Sequence, residues 1–174
     1  TQGSGKTALS YHLSYVLTDY FSSINKVTKF YFIVDRLDLM KQAKEEFEAR
    51  GLVVKTANSR SELMEQFRTN QSQEGTTGEP EITVVNIQRF EERQDKVPAY
   101  ATNLQRVFII DEAHRGYKPE GSFLSNLFDA DPNSIKIALT GTPLLKSERE
   151  SWRVFGNYLH TYYYDKSVQD GYTL

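Results

Sequence analysis

The chain has 174 residues, enough for one domain with a hydrophobic core, and its composition of 39% hydrophobic and 25% charged residues is ordinary for a globular protein. It contains no run of about 18 apolar residues, so no membrane-spanning helix is predicted, and it contains no cysteine, which excludes disulfides and thiolate metal sites. With 21 basic and 23 acidic residues the net charge is −2, so any contact with nucleic acid must come from a local patch.

The first segment, TQGSGKT, predicts a phosphate-binding loop. Gly5, Lys6 and Thr7 fill the last three places of the pattern G-x-x-x-x-G-K-[ST], whose backbone amides hold phosphates and whose lysine reaches the terminal ones. The first glycine of the pattern would fall one place before Thr1. We therefore expect the strand that precedes such a loop to lie outside this sequence. A glycine-rich turn with an incidental lysine is the alternative.

After the loop, helical and strand-like hydrophobic patterns alternate. Gly51 is predicted to end one helix, and Ser59 or Ser61 to cap another. Strands that alternate with helices predict an α/β fold with a mainly parallel sheet flanked by helices. The predicted helices are residues 6–21, 36–50 and 59–69, and the predicted strands are residues 29–34, 52–55, 82–87, 106–111 and 135–140.

Two acidic residues, Asp111 and Glu112, stand where the fourth of these strands ends. Ligands of parallel sheets gather at the carboxyl ends of the strands, which is also where the loop is expected. One carboxylate there can hold a magnesium ion together with the Thr7 hydroxyl, and the other can orient and deprotonate an attacking water. Two acids that only cap a helix are the alternative, and the presence of the loop argues against it.

The motifs GSGKT, DEAH and TGTP, in this order, resemble motifs I, II and III of superfamily 2 helicases and translocases. The stretches FIVDRLDLMKQ, NIQRF, ALTGTPL and FGNYLHTYYYDKSVQDGYTL are further similar to the motor (R) subunit of type I restriction enzymes. The resemblance covers residues 1–174. It implies a single RecA-like P-loop NTPase domain, the first of two in such a motor, which uses ATP and Mg2+.

The resemblance also implies functions for individual residues. Lys6, Asp111 and Glu112 would be catalytic, and Thr7 and Asp111 would hold the metal. The expected nucleotide-binding residues are Gly3, Ser4, Gly5, Lys6 and Thr7. The expected coupling residues, which link the nucleotide to the DNA-facing surface, are His114, Thr140, Gly141 and Thr142. The expected DNA-binding residues are Arg36, Gln88 and Arg89.

Plainer alternatives exist for several of these positions. Arg36 can pair with Asp38 at the start of a helix, His114 can be a solvated residue after a strand, and TGTP can be an ordinary exit into a turn. The aromatic run at residues 158–164 could stack on bases. We favour a half-buried strand packed in the core, because tyrosine is common in strands.

The resemblance implies that the chain is a fragment of a larger, prokaryotic cytoplasmic protein. Its expected partners are double-stranded DNA, a second RecA-like domain, and the methyltransferase and specificity subunits of a type I restriction complex, with no membrane involved. The second domain would supply the arginine finger, so the isolated fragment would be inactive without it and without the nuclease domain. The alternatives are another superfamily 2 DNA helicase or remodelling ATPase, and a binding module that no longer hydrolyses ATP.

Overall fold

The computed structural model describes residues 5–69, 80–87, 103–113, 128, 131–141 and 155–171. None of the helices in these ranges combines the length and the apolar composition of a transmembrane segment. The helices are α1 (Lys6–Ser23), α2 (Leu37–Ala49), α3 (Arg60–Thr69) and α4 (Tyr164–Gln169). The strands are β1 (Val27–Val34), β2 (Val53–Ala57), β3 (Glu81–Asn86), β4 (Leu104–Ile110) and β5 (Ile135–Ala138).

The described strands form one sheet in the order β2-β3-β1-β4-β5, and every neighbouring pair is parallel. This confirms the predicted α/β class, and the arrangement is that expected of a RecA-like domain. Strands β1 and β4 are buried almost throughout, as parallel strands covered on both faces require. The chain leaves β1 toward β2 on one side of the sheet and leaves β4 toward β5 on the other. The order therefore reverses between β1 and β4, where open parallel sheets bind their ligands.

Helices cover both faces of the sheet. Helices α1 and α2 lie on one face, where the rings of Phe32 in β1 and Phe47 in α2 meet edge to face at 5.2 Å. Helix α3 lies on the other face, where Tyr31 of β1 meets Phe67 at 5.0 Å. Successive side chains of β1 alternate between these two layers, because a strand has a period of two. Helix α1, which begins at the predicted phosphate-binding loop, therefore lies on the same face as α2.

The predicted glycine stop of α2 is confirmed. Gly51 has a φ of 86°, in the left-handed region, and its N–H donates to the carbonyl of Glu48 at 2.9 Å. The N–H of Leu52 donates to the carbonyl of Phe47 at 3.1 Å, which completes a Schellman motif. Leu52 is buried beside Phe47 in the core, so the same motif directs the chain into β2.

The cap of α3 is Ser59 and not Ser61. The Ser59 hydroxyl accepts a hydrogen bond from the N–H of Glu62 at 3.2 Å. The Glu62 carboxylate in turn accepts one from the N–H of Asn58 at 2.8 Å. These two bonds satisfy amides that a helix start would otherwise leave without partners.

The prediction of a half-buried strand in the aromatic run is wrong. Residues 156–163 are not part of a strand and precede the short helix α4. Tyr158 is 49% exposed, Tyr163 59% and Leu159 94%. Tyrosine tolerates such exposure because its hydroxyl can bond to polar groups, as that of Tyr162 does to Asp170 at 2.9 Å. Strand propensity needs a neighbouring strand, and this segment pairs with none of the described ones.

Candidate active site

The start of α1 has the geometry of an anion-binding site. Gly5 has a φ of 77°, a conformation that a residue with a Cβ rarely adopts, and its carbonyl accepts the N–H of Leu9 at 2.8 Å. The helix begins at the next residue, Lys6. The amides of its first turn and the positive end of its dipole therefore lie at this end of α1, where Lys6 and Thr7 are half-buried.

The turn after β4 positions the two acidic residues. The N–H of Asp111 donates to the carbonyl of Ile33 at 2.9 Å, so the pairing with β1 continues one residue beyond the strand. Asp111 Oδ1 accepts the N–H of Glu112 at 3.0 Å. Glu112 has a φ of 49°, which is uncommon for a residue other than glycine, asparagine or aspartate. This sharp turn keeps both carboxylates at the edge of the sheet where α1 begins.

Lys6 joins the loop to the acidic pair. Its ammonium Nζ lies 3.1 Å from Asp111 Oδ1 and donates a hydrogen bond to Glu112 Oε1, a residue 106 positions away in the sequence. The three side chains are between 15% and 20% exposed, so the cluster is partly buried but open to solvent. The structure therefore brings the loop lysine into contact with both acids, which the sequence had only predicted at the same edge of the sheet.

The pKa of Lys6 is raised above its ordinary value. Burial acts to lower this pKa, but the hydrogen bonds to Glu112 and Asp111 and the negative charges of both carboxylates together outweigh it. Lys6 is therefore a full positive charge at neutral pH, as a phosphate ligand has to be.

The exit of β5 is tied to the acidic turn through the main chain. The N–H of Leu139 donates to the carbonyl of Ile110 at 2.8 Å, and the N–H of Ala113 donates to the carbonyl of Leu139 at 3.2 Å. Thr140 and Gly141, two of the predicted coupling residues, follow Leu139 directly. Two main-chain hydrogen bonds therefore join the acidic turn to the residue before Thr140.

Arg36 follows β1 at the same edge of the sheet and stands immediately before α2. Its guanidinium lies 3.3 Å from the carboxylate of Asp38, and its side chain is 44% exposed. This is the pairing that the plainer alternative predicted. An exposed pair of this kind is weak, so a contact between Arg36 and DNA stays a prediction.

The remaining predicted site residues lie outside the described residues. They are Gly3, Ser4, Gln88, Arg89, His114 and Thr142.

The donors at this edge fit a magnesium ion. Within the described part of the chain, no group of three or more His, Cys, Asp or Glu side chains could hold a metal. Mg2+ does not need such a group, because it commonly binds through one or two carboxylates and completes its shell with phosphates and water. The carboxylate of Asp111 and the hydroxyl of Thr7 are hard oxygen donors of this kind.

Residues that support the site were not predicted from the sequence. Ser10 is fully buried, and its hydroxyl donates to the carbonyl of Lys6 at 2.9 Å, which secures the first turn of α1. The spacing of four residues from Lys6 is the signal that could have identified it. Ile33 and Leu139 support the acidic turn through main-chain hydrogen bonds. Any residue type can make such bonds, so the sequence gives no sign of them.

Comparisons with known proteins identify the family of the chain. The family model of the SWI2/SNF2 ATPases matches residues 1–174. A type I restriction enzyme endonuclease subunit of Staphylococcus aureus (strain COL) is 34% identical over 185 residues, which cover 100% of this chain and 18% of the relative. The corresponding subunit of the EcoAI enzyme of Escherichia coli is 27% identical over 176 residues, 98% of this chain and 19% of the relative.

A putative type I restriction enzyme endonuclease subunit of Methanocaldococcus jannaschii is 32% identical over 142 residues, which cover 80% of this chain and 13% of the relative. The chain thus spans less than a fifth of the length of these relatives. No solved structure matches. The resemblance predicted from the motifs is confirmed by these relatives.

Proposed function

Since the chain belongs to the SWI2/SNF2 ATPase family, we propose that it is the ATP-hydrolysing motor domain of a type I restriction enzyme and moves along double-stranded DNA. The observation that carries this proposal is the cluster of Lys6, Asp111 and Glu112 at the point where the strand order reverses. A loop lysine beside two carboxylates is the arrangement that binding and hydrolysis of a nucleoside triphosphate require. The relatives, which are endonuclease subunits of type I restriction enzymes, support the narrower assignment.

Each residue of the cluster has a distinct function in this proposal. Lys6 and the first-turn amides of α1 bind the phosphates, with Gly3, Ser4 and Gly5 shaping the loop. Thr7 and Asp111 hold Mg2+, which when bound neutralises negative charge on the phosphates. Glu112 orients the attacking water and accepts its proton on the carboxylate.

Coupling to DNA follows the main-chain hydrogen bonds. A change at Asp111 reaches Thr140 and Gly141 through Leu139, and we infer that these residues, with His114 and Thr142, transmit the nucleotide state. DNA would be held mainly through its phosphates, by Arg36, Gln88 and Arg89. The net charge of −2 agrees with a local contact of this kind.

The proposed partners are those of a restriction complex. A second RecA-like domain of the same protein supplies the arginine that stabilises the transition state. The methyltransferase and specificity subunits direct the motor to DNA in the prokaryotic cytoplasm. The endonuclease subunits among the relatives support this set of partners.

A second candidate is another superfamily 2 DNA helicase or a remodelling ATPase. The description of the matching family model, SWI2/SNF2 ATPase, favours this broader function. The two candidates differ in the DNA that activates them. We expect a restriction motor to hydrolyse ATP on DNA that its methyltransferase and specificity subunits bind, and a helicase or remodelling enzyme to be activated by DNA without them.

The test measures the ATPase rate of the full-length protein in the presence of duplex DNA and the methyltransferase and specificity subunits. The change Lys6→Ala should lower DNA-stimulated turnover by about 10²-fold or more, because a positive charge aimed at the transferring phosphate is lost. Lys44→Ala is the matched control, since Lys44 is an exposed lysine of α2 that lies 3.7 Å from Glu48. DNA-stimulated turnover that survives in Lys6→Ala would show that the loop does not bind the nucleotide.

A further inference from the structure

Helix α1 carries a row of apolar side chains that the sheet does not cover. Leu9, Val16 and Tyr20 are 49%, 63% and 59% exposed, and Leu13 is half-buried. Their spacing of four, three and four residues places the four side chains in one row along the helix. This row, formed by Leu9, Leu13, Val16 and Tyr20, is called the outer stripe of α1 below.

A different side of α1 faces the sheet. Ser10, Ser14 and Phe21 are buried there. The hydroxyls of the two serines donate to carbonyls of α1 itself, Ser10 to Lys6 at 2.9 Å and Ser14 to Tyr11 at 2.7 Å. These serines therefore need no partner from the sheet. The outer stripe is a second apolar face of α1, separate from the one that packs in the core.

The outer stripe lies on the side of α1 away from α2. Tyr11, about half a turn around the helix from the stripe, lies 5.8 Å from the guanidinium carbon of Arg50 at the end of α2. Helix α2 packs against β2 and β3, and α1 packs against β1, so the stripe is on the side of β4 and β5. Ile135 and Ile137 of β5 belong to the same face of the sheet and are only partly buried. The stripe and these isoleucines thus border one apolar surface.

Helix α1 has few charged residues. Among its 18 residues only Lys6, which contacts the acidic pair, and Asp19 carry a formal charge. A surface helix usually has charged or polar residues on its outer face, as the 13 residues of α2 do. The charged residues of α2 are Asp38, Lys41, Lys44, Glu45, Glu46 and Glu48. Exposed apolar surfaces mark contact sites, and permanent contacts are more apolar than transient ones, so the composition of α1 indicates a permanent contact.

The relatives indicate where a permanent partner comes from. The matched region is 18% of the Staphylococcus aureus subunit and 19% of the EcoAI subunit, so more than four-fifths of each relative lies outside it. A segment of the same polypeptide is held near α1 at a high effective concentration, whereas a separate subunit loses translational and rotational freedom when it binds. Helices cover the faces of parallel sheets, so a helix is the element that fits beside α1 and over β5.

We propose that the outer stripe of α1 binds an amphipathic helix of the same polypeptide, from outside residues 1–174, which packs beside α1 and over β5. This inference rests on the part of the proposed function that makes the chain one part of a larger protein. The partner helix presents its own apolar row to Leu9, Val16 and Tyr20, with its axis about 8–10 Å from that of α1. Because α1 begins at Lys6, the contact also fixes the helix that carries the loop lysine.

The first test measures how fast a thiol on the outer stripe reacts in the folded full-length protein. Val16→Cys changes the most exposed residue of the stripe, and Lys44→Cys is the matched control at an exposed position of α2. We expect a maleimide to label Val16→Cys at least about tenfold more slowly than Lys44→Cys, because a covered thiol reacts only when the contact opens. Mass spectrometry of the peptide that contains the new cysteine gives each rate. Equal rates would overturn the proposal.

Photo-crosslinking identifies the partner of the stripe. With p-benzoylphenylalanine in place of Tyr20, the full-length protein should form a crosslink within one polypeptide, to a residue outside 1–174. A crosslink to a second copy of the protein, or to the methyltransferase or specificity subunit, would overturn the proposed partner. A crosslink confined to residues 1–174, or no crosslink at all, would overturn it too.

The ATPase assay on Lys6→Ala separates this inference from the proposed function. Fast labelling of Val16→Cys in a protein whose turnover is lost in Lys6→Ala overturns the contact and leaves the ATPase assignment in place. Slow labelling of Val16→Cys, with the expected crosslink, in a protein that does not hydrolyse ATP supports the contact and overturns the ATPase assignment.

Discussion

Glu112 is held in an unfavourable backbone conformation by its neighbours. Its φ of 49° costs about 1–3 kcal/mol for a residue of this type. The hydrogen bond from its N–H to Asp111 Oδ1 and the bond from Ala113 to Leu139 hold the turn in this shape. The side chain is thereby directed at Lys6 and not along β4. Strain of this kind is often found where a protein places a reactive group.

Glu112→Gln should separate nucleotide binding from hydrolysis. The amide keeps the size of the side chain and can still accept a hydrogen bond from Lys6, but it cannot take a proton from water. We expect an ATP analogue to bind with nearly unchanged affinity while phosphate release slows by about 10²-fold or more. Analogue binding by fluorescence and phosphate release by a coupled assay give the two quantities. Loss of analogue binding in this variant would mean that Glu112 has a structural function.

At the scale of elements, a buried ion pair fixes the amino-terminal end of β4. Arg106 of β4 and Asp131 are 3.2 Å apart, and both side chains are fully buried. The guanidinium carbon of Arg106 lies 4.4 Å from the centre of the Phe67 ring in α3. Arg106 thus joins β4, α3 and the turn before β5. This anchor is at the end of the strand opposite Asp111, so it sets the position of the strand that delivers the acidic pair.

Asp131→Ala should destabilise β4 strongly, because it leaves the Arg106 charge buried without its carboxylate. Removal of one partner of a buried pair typically costs about 3–5 kcal/mol. Native-state hydrogen exchange of the β4 amides in the full-length protein measures this as a loss of protection. Glu46→Ala is the control, since it breaks an exposed pair with Arg50 that is worth less than about 1 kcal/mol. Equal protection of the β4 amides in the two variants would show that the ion pair of Arg106 with Asp131 does not fix the position of β4.

A helix or strand was predictable from the sequence where its own residues carry the signal for it. The run KFYFIV predicted a strand, and the structure extends it to Val27–Val34. Gly51 predicted its helix end because left-handed backbone favours glycine. The aromatic run at 158–164 was predicted wrongly, since burial of a strand depends on a neighbour that the pattern does not specify. The ion pair of Arg106 with Asp131 was also not predictable, because the two residues lie 25 positions apart in the sequence.

At the scale of the whole molecule, we expect the proposed nucleotide site to receive positive charge from outside the described residues. Arg36 is paired with Asp38, Arg50 with Glu46, and Arg106 is buried with Asp131. The transition state of phosphoryl transfer is usually stabilised by an arginine supplied by another domain. This agrees with the proposal that the chain is one part of a larger motor, as do relatives of which it spans less than a fifth.

A polypeptide limited to residues 1–174 should therefore hydrolyse ATP slowly even with duplex DNA. An arginine finger contributes about 10³-fold or more to turnover in related enzymes, so we expect at least that difference from the full-length protein. ATPase assays on both polypeptides, with DNA and the partner subunits, measure it. Circular dichroism of the short polypeptide is the control, because an unfolded chain would be inactive for another reason. Strong DNA-stimulated hydrolysis by a folded short polypeptide would contradict the division of the motor between domains.

The sequence by itself determined the kind of chemistry and the class of fold. Lys6, Asp111 and Glu112 stand in motifs whose residue types fit phosphate and metal binding, and the alternation of patterns specifies a parallel sheet. Only the tertiary structure decided that the three side chains meet and that Lys6 contacts both acids. The physical reason is that residue type and local pattern set what a segment can form. Contacts between residues far apart in sequence depend on strand order, register and turn geometry.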